Sequence, residues 1–256
     1  MTRVLVAVKR VVDSSGEVGL TADRQGLDGR YAGYTISDHD ACAVELGIRI
    51  AEATGGSATI VSVGVPEAVE QIRAALALGA HAGILVEADP TTLGPADVAG
   101  EIAAVVTDAE SAEEPYDLVL LGNDAADTGD FQVPVRLAYA VGRPVVTGAG
   151  TAEVTDGVLV ATVTGPHGEE IYEVPLPAVA SVLEGGTEPR YPTLKGRMAA
   201  KRIEVRVRRA AGTARGGGRV AWHLPPEAPS TTEVIGEGPE TAPAVVDLLQ
   251  RLGVLR

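Results

Sequence analysis

Cysteine and aromatic residues are scarce in this sequence of 256 residues. Its single cysteine, Cys42, excludes an internal disulfide and a thiolate metal cluster, so we expect a reducing compartment and a cytoplasmic protein. Because only 3% of the residues are aromatic, the core must be built from Val, Ala, Leu and Ile, which fill parallel sheets and their covering helices. The first apolar run ends at Lys9 and is too short for a signal peptide or a membrane span. This composition predicts a globular α/β protein.

Positive charge is also scarce, except in one segment. The sequence has 21 Lys and Arg against 35 Asp and Glu, and the net charge of −14 disfavours generic binding to nucleic acid or to an anionic membrane. Between Arg190 and Arg209, however, eight basic residues stand against the single acid Glu204. Three interpretations stay open: a solvated surface, an anchoring surface for an acidic partner or a cofactor phosphate, and a nucleic-acid site, for which only Tyr191 could stack on a base.

Motifs for catalysis and metal binding are lacking. None of the four histidines has a partner at metal or triad spacing. The sequence contains no GxSxG, HExxH or CxxC motif. Cys42 lies at helical spacing from Leu46, which indicates a core residue rather than a nucleophile. We therefore expect neither a catalytic centre nor a metal site.

Apolar strand patterns alternate with helical patterns over the first 141 residues. Short runs bounded by Gly, Pro or Asp indicate buried parallel strands at 4–8, 58–63, 83–86 and 118–121. Helical spacing follows the expected caps Asp38 and Asp40, then Pro66, then Pro95, and returns over 135–141. A strand followed by a helix, repeated in this way, predicts a doubly wound, mainly parallel sheet.

The pattern of apolar and polar residues changes after Pro144. Alternating stretches at 151–154, 158–164 and 170–174 are separated by Asp156-Gly157 and His167-Gly168, which predicts antiparallel strands joined by tight turns. One more apolar strand is expected over 177–183. We expect the compact domain to end near residue 209, and the short helical pattern over 242–252 to dock on another surface because it is too short to stand alone.

The loop that follows the strand at 118–121 is polar and contains glycine. Ligands of open α/β sheets lie at the carboxyl ends of strands, and N–H groups at the start of the next helix suit a phosphate. The loop lacks both the GK[ST] of a Walker loop and the GxGxxG fingerprint. Two interpretations stay open: a phosphate held by backbone donors, and a turn in which Asp124, Asp127 and Asp130 are only turn formers and caps.

Four stretches together resemble the beta subunits of electron transfer flavoproteins. VLVAVKRVVD at 4–13 is similar to the first strand of that family, and GVPEAVEQIRAALALGAHAGILVE at 64–87 to its second strand-helix-strand unit. GNDAADTGDFQVP at 122–134 resembles the family's nucleotide-binding loop. LPAVASVLEGGTEPRYPTLKGRMAAKR at 176–202 resembles its signature and is the most specific of the four.

The resemblance implies an electron carrier without bond-making catalysis, with a sheet of the adenine nucleotide alpha hydrolase type. Such a subunit pairs with an alpha subunit that carries the redox FAD, accepts electrons from dehydrogenases, and binds AMP structurally or, in electron-bifurcating members, a second FAD. Three segments follow: a nucleotide-binding α/β domain over 1–182, a partner-recognition and basic segment over 183–209, and an extended C-terminal arm over 210–256 that docks on the alpha subunit. A stand-alone adenine-nucleotide-binding protein of the universal-stress type is the alternative.

The resemblance also implies two sets of site residues. The nucleotide would be lined by residues at or just after strand ends: Ala7, Ser37, Asp38, His39, Asp40, Val63, Gly122, Asn123, Asp124, Ala125, Ala126, Asp127, Thr128, Gly129, Asp130, Phe131, Gln132 and Val133. Partner dehydrogenases would be recognised through Glu188, Pro189, Arg190, Tyr191, Leu194, Lys195, Arg197 and Met198. Leu194 would be the apolar anchor within a rim of basic side chains that orient the partner; alternatively, Leu194 packs into its own domain. Phe131 stands where the family usually has a small or polar residue, so stacking there could replace a phosphate contact.

Overall fold

The fold is an α/β arrangement, seen in a computed structural model that describes residues 1–13, 15, 19–30, 33–212, 214–217, 220–226, 229 and 232–255. The strands in these ranges are β1 (Arg3–Ala7), β2 (Val11–Val12), β3 (Gly19–Leu20), β4 (Leu27–Asp28), β5 (Tyr34–Thr35), β6 (Ser57–Gly64), β7 (Ala82–Glu87), β8 (Leu118–Gly122), β9 (Val145–Thr155), β10 (Val158–Gly165), β11 (Gly168–Pro175), β12 (Ala178–Val182) and β13 (Val205–Arg209). The helices are α1 (Asp38–Thr54), α2 (Val69–Leu78), α3 (Pro95–Ser111), α4 (Val133–Val141), α5 (Leu194–Ala200) and α6 (Ala242–Arg251), with 3-10 turns at Pro66–Ala68 and Pro239–Thr241.

The central sheet is mainly parallel, as predicted. Its strands lie in the order β11-β10-β9-β12-β8-β1-β6-β7-β13. All neighbours from β9 to β13 pair in parallel, and β10 and β11 extend one edge by antiparallel pairing. Within the described ranges, β2 pairs with β5 and β3 pairs with β4 in two small antiparallel ribbons. The predicted antiparallel additions are therefore confirmed.

Helices cover both faces of the sheet. Val4 and Val6 of β1 belong to a core shared with α1 and α2, whereas Leu5 and Ala7 belong to a core shared with α3 and α4. Successive side chains of a strand point to opposite faces, so a strand between two helical layers must be apolar throughout. This explains the uninterrupted apolar run that indicated β1 in the sequence.

Helix starts follow the local chemistry of the chain. Ser37 precedes α1, and its side chain accepts a hydrogen bond from the backbone N–H of Asp40 at 3.1 Å, which satisfies one donor of the first turn. Gly55 ends the helix in a left-handed conformation with φ 65. Helix α4 begins at Val133, two residues before the predicted start, because Pro134 fits the first turn of a helix.

Strand β9 begins earlier than the predicted stretch at 151–154. Its first half pairs in parallel with β12, and its second half pairs with β10. The glycines of the first half interrupt the alternation of side chains, and Gly148 has φ 73. The alternating pattern therefore indicated only the half that forms a hairpin.

The chain divides into two units, Met1–Trp222 and His223–Arg256. The first unit extends past residue 209 because Asp97 and Glu101 of α3 accept hydrogen bonds of 2.7 to 3.1 Å from backbone N–H groups between residues 211 and 216. In the second unit, α6 has no buried residue. No helix in the described part of the chain combines the length and the apolar character needed to cross a bilayer.

Candidate functional site

A cavity of about 380 Å³ opens at the carboxyl ends of β1, β6 and β8. Residues that follow these strands line it, among them Val8, Val65 and Asn123. This is the edge at which open α/β sheets bind ligands. Its volume lies toward the lower end of the roughly 300 to 1,000 Å³ typical of small-molecule sites.

The structure brings thirteen of the eighteen proposed nucleotide residues to this cavity: Ala7, Asp40, Val63, Gly122, Asn123, Asp124, Ala125, Asp127, Thr128, Asp130, Phe131, Gln132 and Val133. Five others are close in sequence but do not line it: Ser37, Asp38, His39, Ala126 and Gly129. Among these, Ser37 caps α1. Gly129 has φ 60 within the loop, a conformation that suits glycine.

Asp40 connects the three elements that meet at the cavity. Its buried carboxylate accepts hydrogen bonds from the backbone N–H of Lys9 at 2.9 Å and from that of Gly122 at 3.1 Å. Burial raises the pKa of Asp40 to about 7, although both N–H donors favour the ionised form. Asp40 therefore holds the start of α1 against the ends of β1 and β8.

Gly122 is the residue that makes this junction possible. A Cβ at this position would lie 2.4 Å from Oδ1 of Asp40 and 3.0 Å from its backbone nitrogen. The first distance is shorter than any contact a real side chain makes. The chain therefore leaves β8 through a glycine because no side chain fits beside Asp40.

The loop between β8 and α4 is held at its start and in its middle. At its start, Oδ1 of Asn123 accepts a hydrogen bond of 2.6 Å from the hydroxyl of the buried Ser181. Further along, the Lys9 ammonium lies 2.6 Å from Oδ1 of Asp127 and donates to the Thr128 hydroxyl at 3.2 Å. Lys9 thus neutralises one of the three loop carboxylates that would repel a phosphate.

Two polar atoms at the cavity are buried and have no hydrogen-bond partner among the described residues: Nε of Arg10, a donor, and Oδ1 of Asp124, an acceptor. The Arg10 guanidinium lies over the ring of Tyr34, 3.4 Å from its centroid. Buried polar atoms normally have partners. Arg10 and Asp124 nevertheless place a cationic donor group and a carboxylate acceptor group among the residues that line the cavity.

The expected partner-recognition segment is held by one face of α1. At the start of the helix, Nδ1 of His39 accepts a hydrogen bond from the backbone N–H of Glu184 at 2.9 Å. One turn later, the Cys42 thiol donates to the carbonyl oxygen of Thr187 at 3.1 Å. The helix therefore holds the segment that leads to EPRY along its length, and Cys42 is a buried structural residue, as predicted.

Glu45 and Glu52 of α1 bind Arg190. The Glu45 side chain is only 1% exposed, and its Oε2 accepts from Nε of Arg190 at 2.8 Å, while Glu52 accepts from Nη1 at 2.8 Å. Burial opposes ionisation of Glu45, but hydrogen bonds from Arg190 and Arg49 outweigh it and lower its pKa. The carboxylates of Glu52 and Glu45 raise the pKa of Arg190. The Arg190 side chain, which we expected to orient a partner, is thus engaged inside its own subunit.

The residues that follow Arg190 point outward. Tyr191 is 89% exposed and Leu194 is 80% exposed, so the alternative that Leu194 packs into its own domain is wrong. Helix α5 packs closely against α2. The absence of a side chain at Gly196 allows this approach, since a Cβ there would overlap the carbonyl oxygen of Ala77. This close packing presents Leu194 and Met198 on the exposed side of a short, anchored helix.

The basic segment divides into two groups. Arg190 and Arg208 form ion pairs, and the latter lies 2.6 Å from Asp108. The exposed members are Lys195, Arg197, Lys201, Arg202, Arg206 and Arg209. Apolar side chains at the start of α5 are therefore flanked by exposed positive charge.

Comparison with known proteins agrees with this architecture. A family model for the electron transfer flavoprotein domain matches residues 27–212. An electron transfer flavoprotein subunit beta from Syntrophomonas wolfei is 36% identical over 230 residues, which cover 88% of this chain and 86% of the relative. The chain belongs to the electron transfer flavoprotein beta-subunit family. Two further beta subunits, from Mycobacterium leprae and Bacillus subtilis, are 31% identical over 263 residues and 32% identical over 201 residues, covering 97% and 78% of this chain and 98% and 76% of the relatives.

Membership in the electron transfer flavoprotein family implies electron transfer and an electron carrier rather than a catalyst. It also disfavours the stand-alone universal-stress alternative. Within the described residues, no group of three or more His, Cys, Asp or Glu could hold a metal ion.

Several lining residues of this beta subunit were missed from the sequence: Lys9, Arg10, Tyr34, the β3–β4 ribbon and Trp222. Lys9 and Arg10 could have been found, because they directly follow the first strand and the strand-end rule applies to them. The ribbon and Trp222 carry no local signal, since residues about 200 positions apart meet only in the folded chain.

Proposed function

We propose that this chain is the beta subunit of a heterodimeric electron transfer flavoprotein. It binds AMP in the cavity at the strand ends, pairs with an alpha subunit that holds the redox FAD, and receives electrons from dehydrogenases that dock on α5. The observation that carries the nucleotide assignment is the cavity at the carboxyl ends of the parallel strands, which is lined by the loop that follows β8.

The size of the cavity favours a mononucleotide. About 380 Å³ is modest for a ligand site, whereas FAD joins an adenine nucleotide to an isoalloxazine unit of comparable size. AMP also matches the chemistry of the lining, because its phosphate needs donors and its ribose and adenine supply them. This supports AMP in preference to a second FAD in this subunit.

The charges of the cavity are arranged to tolerate a phosphate. Lys9 pairs with Asp127, and the first turn of α4 borders the cavity through Val133 and Pro134. N–H groups in a first helical turn have no acceptor within the helix and favour anions. The phosphate would therefore be held by backbone donors, with Lys9 removing the repulsion of one carboxylate.

FAD supplies the reversible redox chemistry of the complex when it is bound by the alpha subunit. The residues of this chain contribute position: Asp40 and Gly122 hold the nucleotide loop against β1, and Glu45 holds the docking segment against α1. Nucleotide binding and partner docking therefore both depend on α1, which carries Asp40 and Glu45.

The docking surface is suited to an acidic protein with an apolar pocket. Leu194 and Tyr191 are exposed, and so are the basic side chains of Lys195 and Arg197 beside them. A desolvated apolar anchor provides affinity, while charges at the rim raise the association rate.

Coexpression tests this proposal. The tagged full chain is produced with its candidate alpha subunit, and the purified material is examined for subunit ratio and flavin absorbance. We expect a heterodimer of equal subunits whose flavin is bleached by dithionite. A homodimer that ignores the alpha subunit and carries no flavin would contradict it.

A further inference from the structure

The nucleotide cavity has a wall that does not come from strand ends. Thr21, Gln25 and Leu27, from the ribbon of β3 and β4, line it together with Trp222. Trp222 is the single tryptophan of the sequence and is half-buried at this position.

Hydrogen bonds fix Trp222 against the ribbon. Its backbone N–H donates to the carbonyl oxygen of Arg24 at 2.8 Å, and its indole Nε1 donates to the carbonyl oxygen of Gln25 at 3.2 Å. The side-chain amide of Gln25 donates in turn to the carbonyl oxygen of Val220 at 2.9 Å. The ring is therefore held in one orientation before any ligand arrives.

The indole N–H already has an acceptor in the protein. The side chain also carries an apolar ring, and a preordered aromatic ring stacks well on flat heterocycles. The cavity also has unlike parts, since Arg10 supplies positive charge at the end of β1 while Trp222 adds an aromatic residue to the ribbon-derived wall. A nucleotide has the same polarity, with a phosphate at one end and a flat ring at the other.

We propose that Trp222 stacks on the flat ring of the nucleotide and makes the site selective for ligands that carry such a ring. This inference rests on the proposed function, because it concerns the same cavity. It assigns a ligand contact to a residue outside the strand-end loops.

The single tryptophan makes the inference directly measurable. The full-length chain, freed of bound nucleotide, is titrated with AMP, with FMN and with ribose 5-phosphate, which has the phosphate but no ring. We expect AMP to change the tryptophan emission in a saturable way, with the midpoint that calorimetry gives for AMP binding, and ribose 5-phosphate to leave the emission unchanged. A response to FMN alone would support stacking on an isoalloxazine ring and would move the ligand assignment toward a second FAD.

Substitutions at Trp222 provide a second test. We expect Trp222→Leu to weaken AMP binding by roughly 10-fold to 100-fold and Trp222→Phe to weaken it by less than about 3-fold. Tyr139→Leu is the matched control, because Tyr139 is 86% exposed and does not line the cavity. If Trp222→Leu does not fold, the inference is tested by the emission titration of the wild type and by the AMP affinity of Trp222→Phe.

The outcomes separate the inference from the proposed function. AMP binding by calorimetry with unchanged emission, and equal affinity in Trp222→Leu, would overturn the role of Trp222 and leave the nucleotide site intact. Absence of binding of AMP and of FMN to the wild-type chain would overturn both.

Discussion

The Nε atom of Arg190 lies 2.8 Å from Oε2 of Glu45, a carboxylate whose side chain is only 1% exposed. The two residues are 145 positions apart, and the pair joins the EPRY segment to the middle of α1. A buried carboxylate of this kind needs its partner, because an unpaired charge in the interior is costly. The proposed docking segment is therefore fixed to the same helix whose first turn borders the proposed nucleotide cavity.

Replacing Glu45 tests this attachment. We expect Glu45→Gln to lower the free energy of unfolding by about 1 to 3 kcal/mol, because it removes a charged acceptor of Arg190 and Arg49 in a buried setting. Urea denaturation of the full chain measures the change. Glu52→Gln is the control: the Glu52 side chain is 55% exposed, so its loss should cost less than about 1 kcal/mol. Equal effects of the two variants would show that burial of Glu45 does not matter.

Gly122 should be intolerant of any side chain. We expect Gly122→Ala to destabilise the protein by about 1 to 3 kcal/mol and to reduce AMP binding, because its Cβ would overlap the Asp40 carboxylate. Gly100→Ala is the control, since a Cβ there meets nothing within 4 Å and Gly100 lies inside α3. That variant should be neutral or slightly stabilising. Thermal unfolding and calorimetric titration with AMP distinguish the two.

Asp40 should give the protein an unusual dependence of stability on pH. Its folded pKa of about 7 lies above the usual 3.8, so the folded state binds the proton more tightly than the unfolded state. The stability that Asp40 contributes is therefore fully present below about pH 4 and is lost as the pH rises toward 7. The unfolding free energy of the wild type minus that of Asp40→Asn should fall across this range, by at most about 1.4 kcal/mol per pH unit. A difference that stays constant or increases with pH over this range would mean that the two N–H donors outweigh burial and that the folded pKa of Asp40 is not raised.

Lys9 should matter for nucleotide binding because it neutralises Asp127. Lys9→Met leaves that carboxylate unpaired beside the proposed phosphate site, and we expect AMP affinity to fall by about tenfold or more. Lys201→Met removes the same charge from an exposed position outside the cavity. Calorimetry with both variants at one ionic strength is the measurement. If the two variants lose affinity equally, the effect is that of net charge and not of the Lys9–Asp127 pair.

The exposed leucine of α5 should determine docking. We expect Leu194→Ala to slow electron transfer from a partner dehydrogenase by roughly tenfold or more, with no change in thermal stability, because the side chain is 80% exposed in this subunit. Ile171→Ala is the matched control, since Ile171 is 68% exposed on the edge strand β11. Stopped-flow reduction of the heterodimer's flavin by the dehydrogenase checks both. Slowing by both variants would point to a general loss of apolar surface.

Local patterns in the sequence were enough to predict most elements of the fold. The strands β1, β6, β7 and β8 are buried apolar runs, and α3 begins at a proline, as predicted. The predicted caps of α1, Asp38 and Asp40, are wrong, because Ser37 caps this helix and both aspartates lie in its first turn. Gly122 and the loop after it could be placed at a ligand site because strand ends converge on one edge of an α/β sheet.

Contacts between distant parts of the chain could not be predicted in the same way. Arg190 lies in a basic run that looks like a solvated surface, and only the folded chain places Glu45 and Glu52 beside it. Trp222 follows a stretch rich in glycine, and nothing near it in sequence indicates the ribbon on which it packs. Such pairings depend on tertiary geometry rather than on local propensity.

Quantification of the nucleotides released from the purified heterodimer tests the central claim most directly. The heterodimer is denatured in acid, and the released FAD and AMP are separated and quantified per pair of subunits. We predict one FAD and one AMP. Two FAD without AMP, or one FAD with this chain's cavity empty of any nucleotide, would contradict the assignment of the cavity as an AMP site.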